Sequence, residues 1–267
     1  MIKLCHFLVF LISIALLNAC KSSPTGRTQI ALYSETEMNQ LGRKSFEQMK
    51  KQQKIHTDSK VNRYVQCVAD NVIAQLPEKY ANQQWEVVVF EEDSANAFAL
   101  PGGKIGVHTG LLKVARGQDQ LATVLGHEVG HVIAEHSNER MTAAGIKQAS
   151  LQVADAYSRS QGNRLHNETM MALGLSAEYL GMMPFSRMHE SEADQIGLDL
   201  MAKAGFNPKQ SVDLWQNMAA NNKGAPPEFL STHPSSDTRI SDLRSWMPNA
   251  MNNYKDARSQ NKKPHCE

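Results

Sequence analysis

The sequence predicts an α+β fold, mostly helical, with a small β-sheet beside one buried helix. Three observations carry this. Apolar residues recur at helical spacing over 58–76 and again from Leu121 onward. Between them, residues 85–112 turn β-rich around a Pro-Gly-Gly turn. The chain has 267 residues, 41% of them hydrophobic, enough for one sizeable core, and at 21% charged it is not of disordered composition.

The first nineteen residues stand apart from that core. Lys3 gives a basic start, and "FLVFLISIALL" (Phe7–Leu17) is an apolar run. It is shorter than the roughly 20 residues a spanning helix needs, and it fits an export signal over 1–19. "LNAC" places Leu17 and Ala19 before Cys20, which resembles the lipobox of bacterial lipoproteins. The alternative is a plain signal peptide with a chance cysteine. The lipobox resemblance implies removal of 1–19, acylation of Cys20 and a membrane contact made by lipid. Lys21 in place of Asp then implies the outer membrane of a cell envelope, with the protein facing the periplasm. Loss of Lys3 leaves equal numbers of basic and acidic residues, and no basic stripe is visible, so nucleic-acid binding has no electrostatic support.

Residues 20–33 read as a lipidated linker, 34–250 as the main domain and 251–267 as a polar tail, loosely held unless Cys266 tethers it. Ser34 and Glu37 are spaced as a capping box at the start of a helix. In the helix over 58–76, Val61, Tyr64, Val65, Val68, Val72, Ile73 and Leu76 form the apolar face, and Pro77 stops it. Cys67 lies off that face. In an oxidising compartment Cys67 and Cys266 either pair or remain two free thiols. "WEVVVFEE" (85–92) reads as a strand, and "NAFALPGGKIGVHTGLL" (96–112) as two short strands around the turn.

The chemistry concentrates in "LATVLGHEVGHVIAEH" (121–136). At about 100° per residue, His127 and His131 lie roughly 40° apart and project from one side of a helix, where two imidazoles can bind one Zn²⁺. Glu128 points to a neighbouring direction, suited to a general base acting on water. Leu121, Val124, Leu125, Val129, Val132 and Ile133 fill the adjoining arc, so the helix is largely buried. Two histidines and a glutamate there need compensation, which a metal supplies. Gly126 and Gly130 line a strip where another segment can come close. A third ligand comes from "MHESEADQIGLDLMAKAG" (188–205). Glu190 and Asp194 share one helical face; Glu190 suits the metal, and Asp194 suits the far nitrogen of a ligating histidine. Glu192, about 200° around from Glu190, cannot share a face with Asp194. The 59 residues from His131 to Glu190 leave room for the second helix to return antiparallel. His136, His189, His56, His108, His166 and His265 carry no ligand pattern, and His189 is expected to be exposed.

"HEVGH" followed by "HESEAD", with "NAFALPGGKIGVHTGLL" upstream and "PFSR" just before the second motif, resembles the zinc metallopeptidase family of HtpX and the CAAX prenyl protease (peptidase family M forty-eight). More narrowly it resembles the exported lipoprotein branch of that family, with members such as BepA and LoiP. The resemblance covers about 30–245. It implies a zincin-like metallopeptidase domain holding one Zn²⁺ through His127, His131 and Glu190, with Glu128 catalytic and Asp194 supporting a ligand. "STHPSSDTRI" (231–240) also resembles a family motif. There His233 either stabilises the oxyanion or takes the open position on the metal; alternatively His233 and Pro234 only shape the loop, with Arg239 anchoring it. Asn96, Ala97, Phe98, Ala99 and Leu100 are expected to border the cleft, where an extended substrate pairs with a sheet edge. The implied function is a zinc-dependent endopeptidase of the cell envelope that removes misfolded or misassembled proteins. The alternative is a chaperone or assembly factor for outer-membrane proteins, working with their assembly machinery, in which peptidase activity is secondary.

Overall fold

A computed structural model of the chain describes residues 20–160, 186–220, 228–233 and 238–266. The expected signal segment 1–19, together with His166, Pro184, Phe185 and Pro234, lies outside the described residues. Among the described residues the chain forms two compact units, one from 20–34 and 135–160, the other from 35–134 and 186–266. No helix among them is long and apolar enough to cross a membrane.

In the first unit, the segment expected as a linker is folded. Strand β1 (Cys20–Ser22) pairs antiparallel with β2 (Thr28–Ile30), so that Cys20 faces Ile30. Backbone bonds from Ser23 N–H to Arg27 O and from Gly26 N–H to Ser23 O close the turn. The hairpin holds to the segment that follows Ala134. Lys21 pairs with Glu135 at 2.9 Å, and Arg27 grips both carboxylate oxygens of Glu139. The Leu32 N–H donates to Thr142 Oγ1, and Asn138 exchanges hydrogen bonds with both backbone groups of Tyr33. Asn138, Glu139 and Thr142 lie on the long helix that begins at His136. A linker reading weighs composition alone and cannot see partners more than 100 residues away.

The second unit opens with α1 (Glu35–Gln52) and α2 (Ser59–Ile73). Asp58 caps α2, its carboxylate accepting from Lys60 N–H and Val61 N–H, and Val65, Val68, Ala69, Val72 and Ile73 form the buried face that the periodicity predicts. Pro77 starts the short α3 (Glu78–Ala81). Strands β3 (Glu86–Phe90), β4 (Ala97–Leu100) and β5 (Lys104–His108) form a sheet of order β3-β5-β4, parallel between β3 and β5 and antiparallel between β4 and β5. The central β5 is buried along its whole length, Lys104 and His108 at its ends included. β4 is left at the edge. One turn, α4 (Leu111–Val114), leads to α5 (Gln118–Ile133), buried from Gln120 to Ile133.

Helix α6 (His136–Ser160) belongs to the first unit and carries Asn138 and Thr142. The second unit resumes with α7 (Arg187–Lys203), α8 (Gln210–Ala220), the short α9 (Glu228–Thr232) and α10 (Arg239–Ser259). α5 and α7 cross antiparallel at glycines. A Cβ on Gly126 would stand 2.8 Å from Gly197 O, one on Gly130 2.9 Å from Ala193 O, and one on Gly197 2.6 Å from His127 N. The expected tail boundary at 250 falls inside α10, and the residues beyond it are held. Gln118 donates to Pro264 O and accepts from Cys266 N–H, Cys266 is buried, and it forms a disulfide with Cys67 on α2.

Candidate metal centre

The backbone contact at Gly126 and Gly197 decides what α5 and α7 can share. With no Cβ between them, the helices approach closely enough for short side chains on each to meet. His127, His131 and Glu190 converge at the crossing, and α9 adds His233 at its end. One ligand atom from each of these four residues lies within 4.8 Å of the others, and all four residues are buried. His127 Nε2 is 3.1 Å from His131 Nε2 and 3.2 Å from His233 Nδ1. Glu190 Oε1 is 3.1 Å from His233 Nδ1 and 3.4 Å from His131 Nε2, while its Oε2 is 3.4 Å from His127 Nε2. Glu192 is buried on α7 but takes no part in this group.

The surroundings orient each donor. His127 Nδ1 bonds to Asp194 Oδ1 at 2.8 Å, which places the proton of a neutral ring on Nδ1 and turns the Nε2 lone pair toward the cluster. The ring of His233 stacks on Phe229, centroids 4.5 Å apart, and the backbone N–H of His233 donates to Phe229 O. Arg239 is almost wholly buried and lies over the ring of Trp215 at 3.9 Å. Its Nε donates to Asp194 Oδ2 at 2.6 Å and its Nη2 to Glu190 Oε2 at 2.7 Å. One planar fork therefore aligns both carboxylates.

Burial works against charge on His127, but the Asp194 and Glu190 carboxylates outweigh it and raise its pKa to about 10. Burial also opposes ionisation of Glu190, yet hydrogen bonds with His127, His131 and His233 hold it far below the ordinary carboxylate range. Burial lowers His131 well below its usual value. Ring nitrogens that crowd a carboxylate with their lone pairs inward are reconciled by shared protons or by a cation. Three imidazoles and one carboxylate form a donor set suited to zinc.

Glu128 is the remaining group. Its Oε1 is buried without a hydrogen-bond partner among the described residues, 3.5 Å from His233 Nε2. Burial raises its pKa, partly offset by nearby His233 and His127 and by a hydrogen bond from the Ala99 backbone N–H. That bond comes from the sheet edge. The His108 N–H donates to Asn96 O, so Asn96–His108, Phe98–Gly106 and Leu100–Lys104 are the hydrogen-bonded pairs of the β4–β5 ladder. Ala97 and Ala99 therefore turn their backbone groups away from β5. Of the residues expected at the cleft, Ala97 and Ala99 are buried on the edge strand beside Glu128, and Asn96, also buried, immediately precedes that strand. The side chain of Phe98 instead packs with Phe46 and Phe90 and covers Gly106.

The expectations for two other residues need correction. His189 is buried rather than exposed, because it falls on the inner side of the first turn of α7. Arg239 bridges Glu190 and Asp194 instead of only anchoring a loop. The sequence did carry a sign of this: a cation at the first position of a helix opposes the helix dipole and needs another partner. Trp215 and Phe229, which pack against Arg239 and His233, carry no comparable signal in the sequence.

Comparison with known proteins agrees with this geometry. The sequence pattern described as Peptidase family M48 matches residues 59–247. The chain is 38% identical over 190 residues to the mitochondrial metalloendopeptidase OMA1 of Schizosaccharomyces pombe, covering 70% of this chain and 53% of that protein. It is 31% identical over 257 residues to the mitochondrial metalloendopeptidase OMA1 of Danio rerio, covering 91% and 54%. It is 26% identical over 209 residues to the beta-barrel assembly-enhancing protease of Yersinia pestis, covering 76% and 42%. The chain thus spans about half the length of the curated relatives it matches. The matched segment runs from α2 through the histidine helix and the Glu190 helix into α10, and with that donor set at its centre the chain belongs to peptidase family M48.

Proposed function

We propose that the chain is a zinc-dependent endopeptidase of the cell envelope, held to the outer membrane by lipid on Cys20 and clearing misfolded or misassembled proteins on the periplasmic side. The observation that carries the enzymatic reading is Glu128, a buried carboxylate whose Oε1 has no hydrogen-bond partner among the described residues, set between the donor cluster and a sheet edge. A structural metal site needs no such base. His127, His131 and Glu190 would hold the ion, with His233 within reach of it. The ion supplies a Lewis acid that polarises a carbonyl and makes water more acidic. Glu128 Oε1 accepts the proton of the attacking water and delivers it to the leaving amine as the C–N bond breaks. Burial raises its pKa toward working pH, which suits a group that must both accept and release a proton. The outward backbone groups of Ala97 and the carbonyl of Ala99 suit an extended peptide, whose main chain they can bond without regard to sequence.

The envelope reading draws on "LNAC", on the Cys67–Cys266 disulfide, which suits an oxidising compartment, and on relatives named for β-barrel assembly. Those same relatives favour the second reading, an assembly factor for outer-membrane proteins with secondary peptidase activity. Metal analysis with casein or peptide hydrolysis, with and without chelator, tests the enzyme. Glu128→Gln is expected to keep its zinc and lose hydrolysis by at least about a hundredfold. Normal turnover in Glu128→Gln would sink the mechanism. Rescue of the cellular function by Glu128→Gln would favour the assembly factor.

A further inference from the structure

The hairpin that begins at Cys20 leaves no slack between a lipid on that residue and the folded chain. Cys20 is the first residue of β1, and its register partner is Ile30, whose backbone lies about 5 Å away across an antiparallel pair. Lys21 is already ion-paired with Glu135, and Arg27 with Glu139. The same unit exposes an apolar set. Ile30 is 40% exposed, Leu32 51%, Ile146 45% and Val153 71%. Ile146 and Val153 share a stripe of α6, and Ile30 and Leu32 stand on the outer side of the hairpin that is laid over the start of that stripe, opposite the buried Gln29 and Ala31. Leu32 bonds through its N–H to Thr142, and Thr142, Ile146 and Val153 fall within about 40° of one another on α6. The hairpin covers the start of this stripe and leaves Ile146 and Val153 bare. Elsewhere among the described residues the large exposed apolar residues, Leu41, Ile55 and Met188, come from separate segments.

We propose that this face, formed by Ile30, Leu32, Ile146 and Val153, lies on the lipid surface of the leaflet that receives the acyl chains of Cys20. The proposal rests on the acylation of Cys20 put forward above. A short tether fixes which side of the unit meets the bilayer, and that side carries the apolar side chains. A lipid tether and an apolar face then act as two signals for one surface, and stable attachment generally needs two. The apolar side chains enter the headgroup boundary, while the charged pairs of the hairpin stay at the edge of the contact.

The full chain is produced in an exporting bacterial host, purified and reconstituted into phosphatidylethanolamine–phosphatidylglycerol vesicles whose acyl chains carry bromine near the headgroup. Tryptophan is introduced by Ile146→Trp, Val153→Trp and Gln148→Trp; Gln148 is exposed about 200° around α6 from Ile146. Signals are read as differences from the parent chain, which has three tryptophans of its own. The expected result is bromine quenching about twofold or more stronger at 146 and 153 than at 148. Mass spectrometry of the N-terminal peptide separates the two ways of failing. Without an acyl mass on Cys20, lipid attachment falls and this orientation with it. With the acyl mass present and equal or no quenching at the three positions, acylation stands and the docking face is overturned.

Discussion

Arg239 holds two carboxylates with one guanidinium, and each of them serves the metal cluster differently. Glu190 is a donor, while Asp194 fixes the ring of a donor. Lys at this position keeps the charge but offers a single point donor in place of a fork. Arg239→Lys is therefore expected to weaken zinc affinity by about ten- to a hundredfold, measured by competition with a chromophoric chelator, and Arg239→Met by more. His127 supplies a second test. Without metal its pKa is about 10, so at neutral pH the ring is protonated, and the ion must displace that proton. Zinc uptake near pH 7.5 should release about one proton, seen by calorimetry in buffers of different ionisation enthalpy, and affinity should fall roughly tenfold per pH unit of acidification. The two histidines, Glu128, Glu190 and Asp194 were legible from spacing, because helical geometry fixes which of them share a side. The tie from Arg239 to both carboxylates was not, since it depends on how a distant helix is set down.

Helix α5 carries the site only because α7 lies so close to it. The antiparallel return and the glycine strip on α5 were both readable in the sequence; that Gly197 answers that strip from α7 was not. Gly197→Ala would place a methyl 2.6 Å from the backbone nitrogen of His127 and must push the helices apart. A loss of about 1–3 kcal/mol in urea unfolding is expected, together with reduced zinc content, because the same crossing sets the distance from Glu190 to the histidines. The sheet was legible as well, from β-rich texture and the Pro-Gly-Gly turn. Its order was not, and the order is what leaves β4 at the edge beside Glu128. The hairpin at 20–30 escaped detection for a different reason: three-residue strands carry too little periodicity, and its ion-pair partners lie more than 100 residues away.

Across the second unit, one covalent bond closes the longest loop. Cys67 and Cys266 are separated by 199 residues, and the spacing of α2 left open whether they would pair. By chain-entropy reasoning a loop of that size contributes about 5 kcal/mol. Reduction, or Cys67→Ser with Cys266→Ser, should lower the urea midpoint accordingly, and it should free the segment that packs on Gln118 and Gly205. The order in which the chain supplies the metal centre has a further consequence. His127 and His131 come first, Glu190 and Asp194 some sixty residues later, and His233 and Arg239 some forty residues after those. A chain still being synthesised has the first two imidazoles without the carboxylate between them or the guanidinium behind it. The metal centre therefore cannot form piecemeal: its donors and the guanidinium that aligns them come together only after three separate stretches of chain, ending at Arg239, have been made.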